Sequence, residues 1–170
     1  LIEDFAGGVR EGRRVKAVWV GGSSVPVLGE EHLDTPLDYE ALAEAGSSLG
    51  SAGCIVMDVS GSIVRSTLRL ASFYRHESCG KCTPCREGTD WLYRLLHRML
   101  TGEGSPKDIT LLQSVASQIN GKTLCAFGDA AATPVLTTLK LFKHEYEVYA
   151  KGERPAPAEY RASQPAGAHH

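Results

Sequence analysis

The chain has 170 residues, of which 42% are hydrophobic and 22% charged, and its formal net charge is −2. This is the composition of a soluble globular protein of one domain or two small ones, without the basic stripe of a nucleic-acid binder. No apolar run approaches the roughly 20 residues of a membrane span, and the start, LIEDF, lacks the pattern of a signal peptide, so we expect no direct insertion into a membrane.

The first 60 residues predict a small module of mixed helix and strand. Residues 1–8 resemble the end of a helix that begins before this chain. Residues 15–20 are β-branched and partly alternating, which predicts a strand that ends at a pair of glycines. A short helix is expected over residues 38–45. Residues 54–59 predict a second, more buried strand.

From Ser62 onward the apolar residues follow helical spacing, and they predict four helices. Ser62 and Ser105 are suitable N-caps, while Pro106 and Pro134 suit the first turn of a helix. The predicted ranges are about 62–76, 88–101, 105–120 and 133–150. Residues 62–150 therefore predict a four-helix bundle, which makes the fold class α+β. The tail, residues 151–170, is rich in Pro, Ala and charge and is expected to be disordered.

Four of the five cysteines follow a pattern that predicts one shared site. Cys79, Cys82 and Cys85 form a C-x2-C-x2-C run between the first two predicted helices. Cys125 follows 40 residues after Cys85, in the loop before the fourth predicted helix. Alternate connections of a bundle lie at the same end, so the two loops can meet and bring four thiols around one point. An odd number of cysteines without a secretory signal argues against a disulfide framework.

A three-plus-one set of cysteines suits a [4Fe–4S] cluster. Each of the four irons needs one thiolate outside the cage. A compact loop can supply three of these thiolates, while the fourth must come from elsewhere, as in ferredoxin-type spacing. Gly80 allows the backbone to turn close to the sulfides, and Lys81 and Arg86 can offset the negative charge and tune the reduction potential. The sequence thus predicts Cys79, Cys82, Cys85 and Cys125 as metal ligands for electron transfer, with no catalytic residue.

Two other uses of these cysteines remain open. Zinc usually takes cysteines as two pairs, but a zinc-stabilised interaction domain without a redox role is a distinct alternative. A thioredoxin-type C-x-x-C would need a βαβ context and would leave the third cysteine unexplained. The fifth cysteine, Cys54, lies inside the second predicted strand. We expect it to be a small buried hydrophobic residue rather than a ligand.

The motif at residues 77–88, ESCGKCTPCREG, and the later TLCAFGDAA at 123–131 resemble the flavin- and NADH-binding 51-kDa (F) component of respiratory complex I, NADH:quinone oxidoreductase. The segments AGGV at 6–9, GGSS at 21–24 and PLDY at 36–39 are similar to the same family. In that family these segments lie in a small β-grasp domain, between the flavin domain and the cluster domain. The resemblance implies that residues 1–60 are part of a β-grasp domain.

The resemblance also implies a pathway in which NADH reduces FMN and FMN passes electrons to this cluster, to further clusters and to quinone. The family's FMN and NADH motifs precede the β-grasp domain and are absent here. We therefore expect FMN and NADH on a missing N-terminal portion, and no NADH oxidation by this chain alone. In the family the segment after the fourth cysteine lies near the flavin, which makes Ala126 and Phe127 candidates for FMN contact.

The implied partners are a thioredoxin-like [2Fe–2S] subunit and a large multi-cluster subunit. The implied location is the peripheral arm of a membrane-bound complex, on the cytoplasmic side of the bacterial inner membrane. The same motif occurs in diaphorase subunits of NAD-reducing hydrogenases and NAD-dependent formate dehydrogenases, so these hosts are alternatives.

Overall fold

The computed structural model describes residues 1–153, which form a small antiparallel sheet packed against a group of helices. The strands are β1 (Val15–Val20), β2 (Leu28–Gly29) and β3 (Cys54–Asp58). The α-helices of the described residues are α1 (Tyr39–Glu44), α2 (Ile63–Glu77), α3 (Thr83–Thr101), α4 (Pro106–Ile119), α5 (Phe127–Leu141) and α6 (Lys143–Ala150). Two short 3-10 turns, Arg10–Gly12 and Glu30–His32, complete the elements. This architecture confirms the α+β mixture predicted from the sequence.

Strand β1 is the centre of the sheet, with β2 and β3 antiparallel on either side of it. All of its side chains are buried, because successive residues of a strand point to opposite faces and both faces are covered. Ala17 and Trp19 face the main core, which they share with the helices. Val18 and Val20 face a second, smaller core under α1. The sheet thus contacts the helices through Ala17 and Trp19 of β1, with Met57 of β3 packed against the same core.

Strand β3 differs from the prediction, because it is more exposed than β1 rather than more buried. It pairs with β1 on one side only and is therefore an edge strand of this sheet. Cys54 at its start is exposed, so the expectation of a small buried hydrophobic residue is wrong. Cys54 is exposed because β3 lies at the edge of the sheet, and an apolar run of residues does not show whether its strand is central or at the edge.

Residues 2–6 form turns rather than a regular helix, and the chain leaves helical geometry at Gly7, as the predicted helix end would. The backbone N–H groups of Phe5 and Ala6 both donate to the carbonyl of Leu1, at 3.2 and 3.1 Å, and the segment forms turns. Gly7 and Gly8 then adopt φ values of +75° and +76°, a left-handed conformation that cannot continue a right-handed helix.

Helices α2 and α4 begin where their capping residues predict. Ser62 Oγ accepts the backbone N–H of Arg65 at 3.2 Å at the start of α2. In α4, Ser105 and Asp108 form a reciprocal capping box, with the Ser105 N–H donating to Asp108 Oδ2 at 2.8 Å. These bonds satisfy N–H groups that the first turn of a helix leaves without partners.

The other helix boundaries correct the four-helix prediction. Helix α3 begins at Thr83, before Gly88, with Pro84 in its first turn. The predicted fourth helix is divided into two, because the chain bends at Phe142 between α5 and α6. Helix α5 also begins earlier than predicted, at Phe127. Pro134 lies inside α5 rather than at its start, since the preceding alanines, strong helix formers, extend the helix toward the N-terminus. Of the predicted tail, residues 154–170 lie outside the described residues.

The short helix α6 is fixed by a buried set of hydroxyl groups. Tyr146 is fully buried, and its hydroxyl lies 2.7 Å from Thr138 Oγ1 of α5 and 3.1 Å from Thr67 Oγ1 of α2. Burial raises the pKa of Tyr146 to about 12, so the hydroxyl keeps its proton for these bonds. Three helices therefore meet at one tyrosine.

Helices α3 and α4 approach each other closely at Gly88. A Cβ atom on Gly88 would lie 2.6 Å from Cδ1 and Cγ1 of Ile119, closer than real Cβ contacts. We expect Gly88→Ala to lower the free energy of unfolding by about 1–3 kcal/mol, because overpacking outweighs the better helix propensity of alanine. Urea denaturation of the variant measures this effect.

The matched control is the double variant Gly88→Ala with Ile119→Val, which removes Cδ1 from the close contact. It should recover part of the lost free energy of unfolding. A single variant Gly88→Ala that is as stable as the wild type would show that the two helices can move apart at no cost.

Candidate metal centre

Cys79, Cys82, Cys85 and Cys125 line one cavity of about 160 Å³. The cavity lies where the connection between α2 and α3 meets the connection between α4 and α5. The backbone N–H of Leu124 lies 3.4 Å from Cys82 Sγ, so residues 42 positions apart in the chain are in contact. Cavities of this volume accommodate a molecule of the size of benzene, which leaves room for a small multi-atom group between the four sulfurs.

The cysteines differ in how firmly the fold holds them. Cys79 lies in the loop, whereas Cys82 is the N-cap residue of α3 and Cys85 lies in its first turn. Cys85 is only 7% exposed, while Cys79 and Cys125 are exposed. The sequence placed Cys85 in the loop, but Pro84 at the start of α3 brings it into the helix. One thiol of the site is therefore fixed by a helix and the others by loops.

The two cations near the motif have different positions. The side chain of Lys81 lines the cavity. Arg86 instead holds the loop, because its Nη1 donates to the carbonyl of Gly80 at 2.6 Å and its Nε donates to Glu87 at 2.8 Å. Gly80 adopts φ of +77° in this turn, as its predicted role requires. Lys81 is thus the cation that can act directly on a bound group, and Arg86 shapes the loop around it.

The backbone makes the cavity favourable for negative charge. Helices α3 and α5 both begin beside it, and the N-terminal ends of helices carry partial positive charge and free N–H groups. Lys81 adds a full positive charge, while Glu77, which also lines the cavity, opposes it. A group that carries thiolates and sulfides is negatively charged, so the two helix N-termini and Lys81 favour its binding, while Glu77 opposes it.

Two polar groups lie within hydrogen-bonding distance of the sulfur atoms. Besides the Leu124 N–H at Cys82, the hydroxyl of Ser78 lies 3.3 Å from Cys85 Sγ. Ser78 is not among the site residues predicted from the sequence, although its place beside Cys79 in the motif was a signal. The packing of the Tyr74 ring edge-on against Phe127, with the centroids 5.6 Å apart, was not predicted either.

The two candidates for flavin contact lie beside the cysteine site. Phe127 lines the cavity and begins α5, and Ala126 precedes it as an exposed N-cap residue. Both residues follow Cys125 directly, so a molecule that touched them would lie close to the cavity.

By their chemistry, the four thiols that line the cavity fit an iron–sulfur cluster as well as zinc. Within residues 1–153, no group of three or more His, Cys, Asp or Glu side chains is placed so that it could hold one metal ion. Cys54, on β3, does not line the cavity.

None of the helices described between residues 1 and 153 combines the length and the apolar character needed to cross a lipid bilayer.

Comparison with known families and proteins gives consistent matches. Residues 65–149 match a family described as NADH-ubiquinone oxidoreductase-F iron-sulfur binding region. The chain is 50% identical over 149 residues to the F subunit of NADH-quinone oxidoreductase from Mycobacterium tuberculosis, a match that covers 88% of this chain and 34% of the relative. With the equivalent protein of Streptomyces coelicolor the identity is 49%, over 88% of this chain and 33% of the relative.

A solved structure shares the fold. The crystal structure of an NAD+-reducing [NiFe]-hydrogenase in the H2-reduced state matches with a TM-score of 0.74 and 27% sequence identity, covering 91% of this chain and 26% of that chain. The chain therefore spans about a third of the length of the curated relatives and about a quarter of the hydrogenase chain.

Proposed function

We infer that this chain, which belongs to the family of NADH-ubiquinone oxidoreductase-F iron-sulfur binding regions, holds one [4Fe–4S] cluster and carries electrons through it. The observation that supports this most directly is the placement of Cys79, Cys82, Cys85 and Cys125 around one cavity. Each cysteine would supply one thiolate to one iron. When bound, the cluster would supply one-electron redox chemistry.

The residues around the cavity have defined roles in this proposal. Cys85 fixes one corner of the site, because it is buried in the first turn of α3. Arg86 keeps the loop in its turn through the Gly80 carbonyl. Lys81 and the helix N-termini favour added negative charge, which makes acceptance of an electron easier. No side chain here needs to transfer a proton or bind a substrate.

The host we propose is an NADH-oxidising module. The relatives from Mycobacterium and Streptomyces are named as F subunits of NADH-quinone oxidoreductase. FMN and NADH would be held by a portion of such a protein outside this chain, with Ala126 and Phe127 facing the flavin. A thioredoxin-like [2Fe–2S] subunit and a large multi-cluster subunit would be the partners, in the peripheral arm on the cytoplasmic side of the bacterial inner membrane.

We propose the same division into domains as the sequence suggests. Residues 1–60 would be part of a β-grasp domain, supported by the sheet and its own small core. Residues 62–150 would be the cluster domain, a bundle of α2 to α5 with α6 as an addition. The two share the main core through Ala17 and Trp19 of β1, so they would move as one body.

A second candidate host is the diaphorase part of an NAD-reducing hydrogenase. The structural match to the [NiFe]-hydrogenase favours it, because it covers 91% of this chain. The 27% sequence identity to the hydrogenase is well below the 50% identity to the Mycobacterium F subunit, which favours the first host. An NAD-dependent formate dehydrogenase would use the same site.

The test is an analysis of the full chain, purified or reconstituted under anaerobic conditions. We expect about four irons and four sulfides per chain, a brown colour, and a fast-relaxing spin-one-half EPR signal after reduction with dithionite. Zinc is assayed on the same sample. A colourless protein with one zinc and no EPR signal would overturn the electron-transfer proposal and favour a zinc-stabilised interaction domain.

A further inference from the structure

The hydroxyl of Ser78 contacts a cysteine that is not its neighbour in the chain. Ser78 Oγ lies 3.3 Å from Sγ of Cys85, seven residues later, which is within hydrogen-bonding distance for sulfur. Ser78 is half-buried and lines the cavity, and Cys85 is the most buried of the four cysteines there. Water therefore competes less for the hydrogen bond at Cys85 than it would at the exposed sulfurs of Cys79 and Cys125.

The direction of this hydrogen bond follows from the neighbouring groups. The backbone N–H of Gly80 points to Ser78 Oγ at 3.4 Å, so the oxygen already accepts one hydrogen bond. Its own O–H proton remains available for donation. A thiolate that ligates a metal has no proton and can only accept. With a metal group bound, the proton of Ser78 is therefore directed at the sulfur of Cys85.

The backbone on both sides keeps the hydroxyl in place. Ser78 is the C-cap residue of α2, and its N–H donates to the carbonyl of Tyr74 at 3.1 Å. Two residues later, the Gly80 carbonyl is held by Arg86 at 2.6 Å. Because the helix end and the loop are both fixed, the donor is pre-oriented and would not have to reorganise when the charge of the site changes.

We propose that Ser78 is a positioning residue that raises the reduction potential of the metal group by donating a hydrogen bond to the Cys85 thiolate. The inference rests on the proposed function, since it requires a redox group on these cysteines. An added electron makes the sulfurs more negative, so a donor aimed at one of them stabilises the reduced form more than the oxidised form. Ser78 keeps its proton in both states, and only the electron is transferred.

The test compares two variants of equal shape in the full chain. Ser78→Val removes the hydroxyl, and Ser78→Thr keeps it; both suit the extended backbone at this position. EPR-monitored redox titration should give a potential for Ser78→Val that is more negative by about 30 to 60 mV, or a threefold to tenfold smaller equilibrium constant for reduction. Ser78→Thr should stay close to the wild type.

Thr83→Val is the matched control, because it also replaces a hydroxyl by a methyl group beside a cysteine of the motif. Thr83 adjoins Cys82, but its side chain is exposed and does not line the cavity. The reduction potential of Thr83→Val should equal that of the wild type. An equal shift in Thr83→Val and Ser78→Val would assign the effect to loop disturbance and overturn the role of the hydroxyl.

The outcomes separate this inference from the proposed function. If the wild type holds the cluster and Ser78→Val has an unchanged potential, the inference fails while the proposed function stands. If the wild type holds no iron, both fail. If Ser78→Val does not retain iron, Ser78→Ala replaces it, since it removes the hydroxyl without adding atoms. Loss of iron from both, with retention in Ser78→Thr, would show a role in holding the group rather than in tuning its potential.

Discussion

Cys125→Ser is expected to remove the cluster from this chain. Cys125 is the one cysteine of the cavity that lies outside the C-x2-C-x2-C run, so no neighbouring thiol can take its place. A serine hydroxyl is a poor substitute for a thiolate on iron. We expect loss of most of the bound iron and sulfide and of the EPR signal of the reduced protein. Iron and sulfide assays with EPR measure the change, and circular dichroism reports whether the helices remain.

Cys54→Ser is the matched control for this change. Cys54 is exposed on β3 and does not line the cavity, so its thiol can be replaced without loss of iron. The assignment of the four ligands would be wrong if Cys54→Ser lost the cluster. It would also be wrong if Cys125→Ser retained the iron content and EPR signal of the wild type.

Lys16→Met is expected to destabilise the fold more than Gly88→Ala does. Lys16 of β1 forms an ion pair with Glu145 of α6, and both side chains are 2% exposed. Lys16 Nζ also donates to the carbonyl of Gly61 at 2.7 Å, and Glu145 accepts the N–H of Ile63 at 3.1 Å. The pair therefore connects the sheet, the start of α2 and the last described helix.

Removal of one partner leaves the other charge buried without its counter-ion, which typically costs about 3–5 kcal/mol. We expect Lys16→Met to lower the free energy of unfolding by about that amount in urea denaturation. The double variant with Glu145→Gln should recover part of the loss, because the neutral amide oxygen can still accept the Ile63 N–H. A Lys16→Met variant within about 1 kcal/mol of the wild type would show that water or another cation compensates the buried carboxylate.

Local chemistry was the part of this fold that the sequence made predictable. Ser62 and Ser105 cap the helices they were expected to cap, because a cap depends on residues only three positions away. The approach of Cys125 to the cysteine run was also predictable, since alternate connections of packed helices lie on the same side.

The features that escaped prediction depend on distant parts of the chain. The exposure of Cys54 follows from the edge position of β3, which is fixed by pairing with β1 and not by its own residues. Pro134 suggested a helix start, but α5 begins earlier, at Phe127, because the residues before the proline favour a helix. The contact of Ser78 with Cys85 required the turn of the loop back onto α3, which spacing alone does not define.

The meeting of the two cysteine loops has a consequence for the entropy of the chain. A metal group bound by both Cys79 and Cys125 would be a cross-link around about 47 residues, a segment that includes all of α3 and α4. By the relation used for disulfides, closure of such a loop restricts the unfolded chain by roughly 4 kcal/mol. The bound metal group would then stabilise the fold as well as carry electrons. Its removal by a chelator would destabilise α3 and α4, which lie within the cross-linked segment.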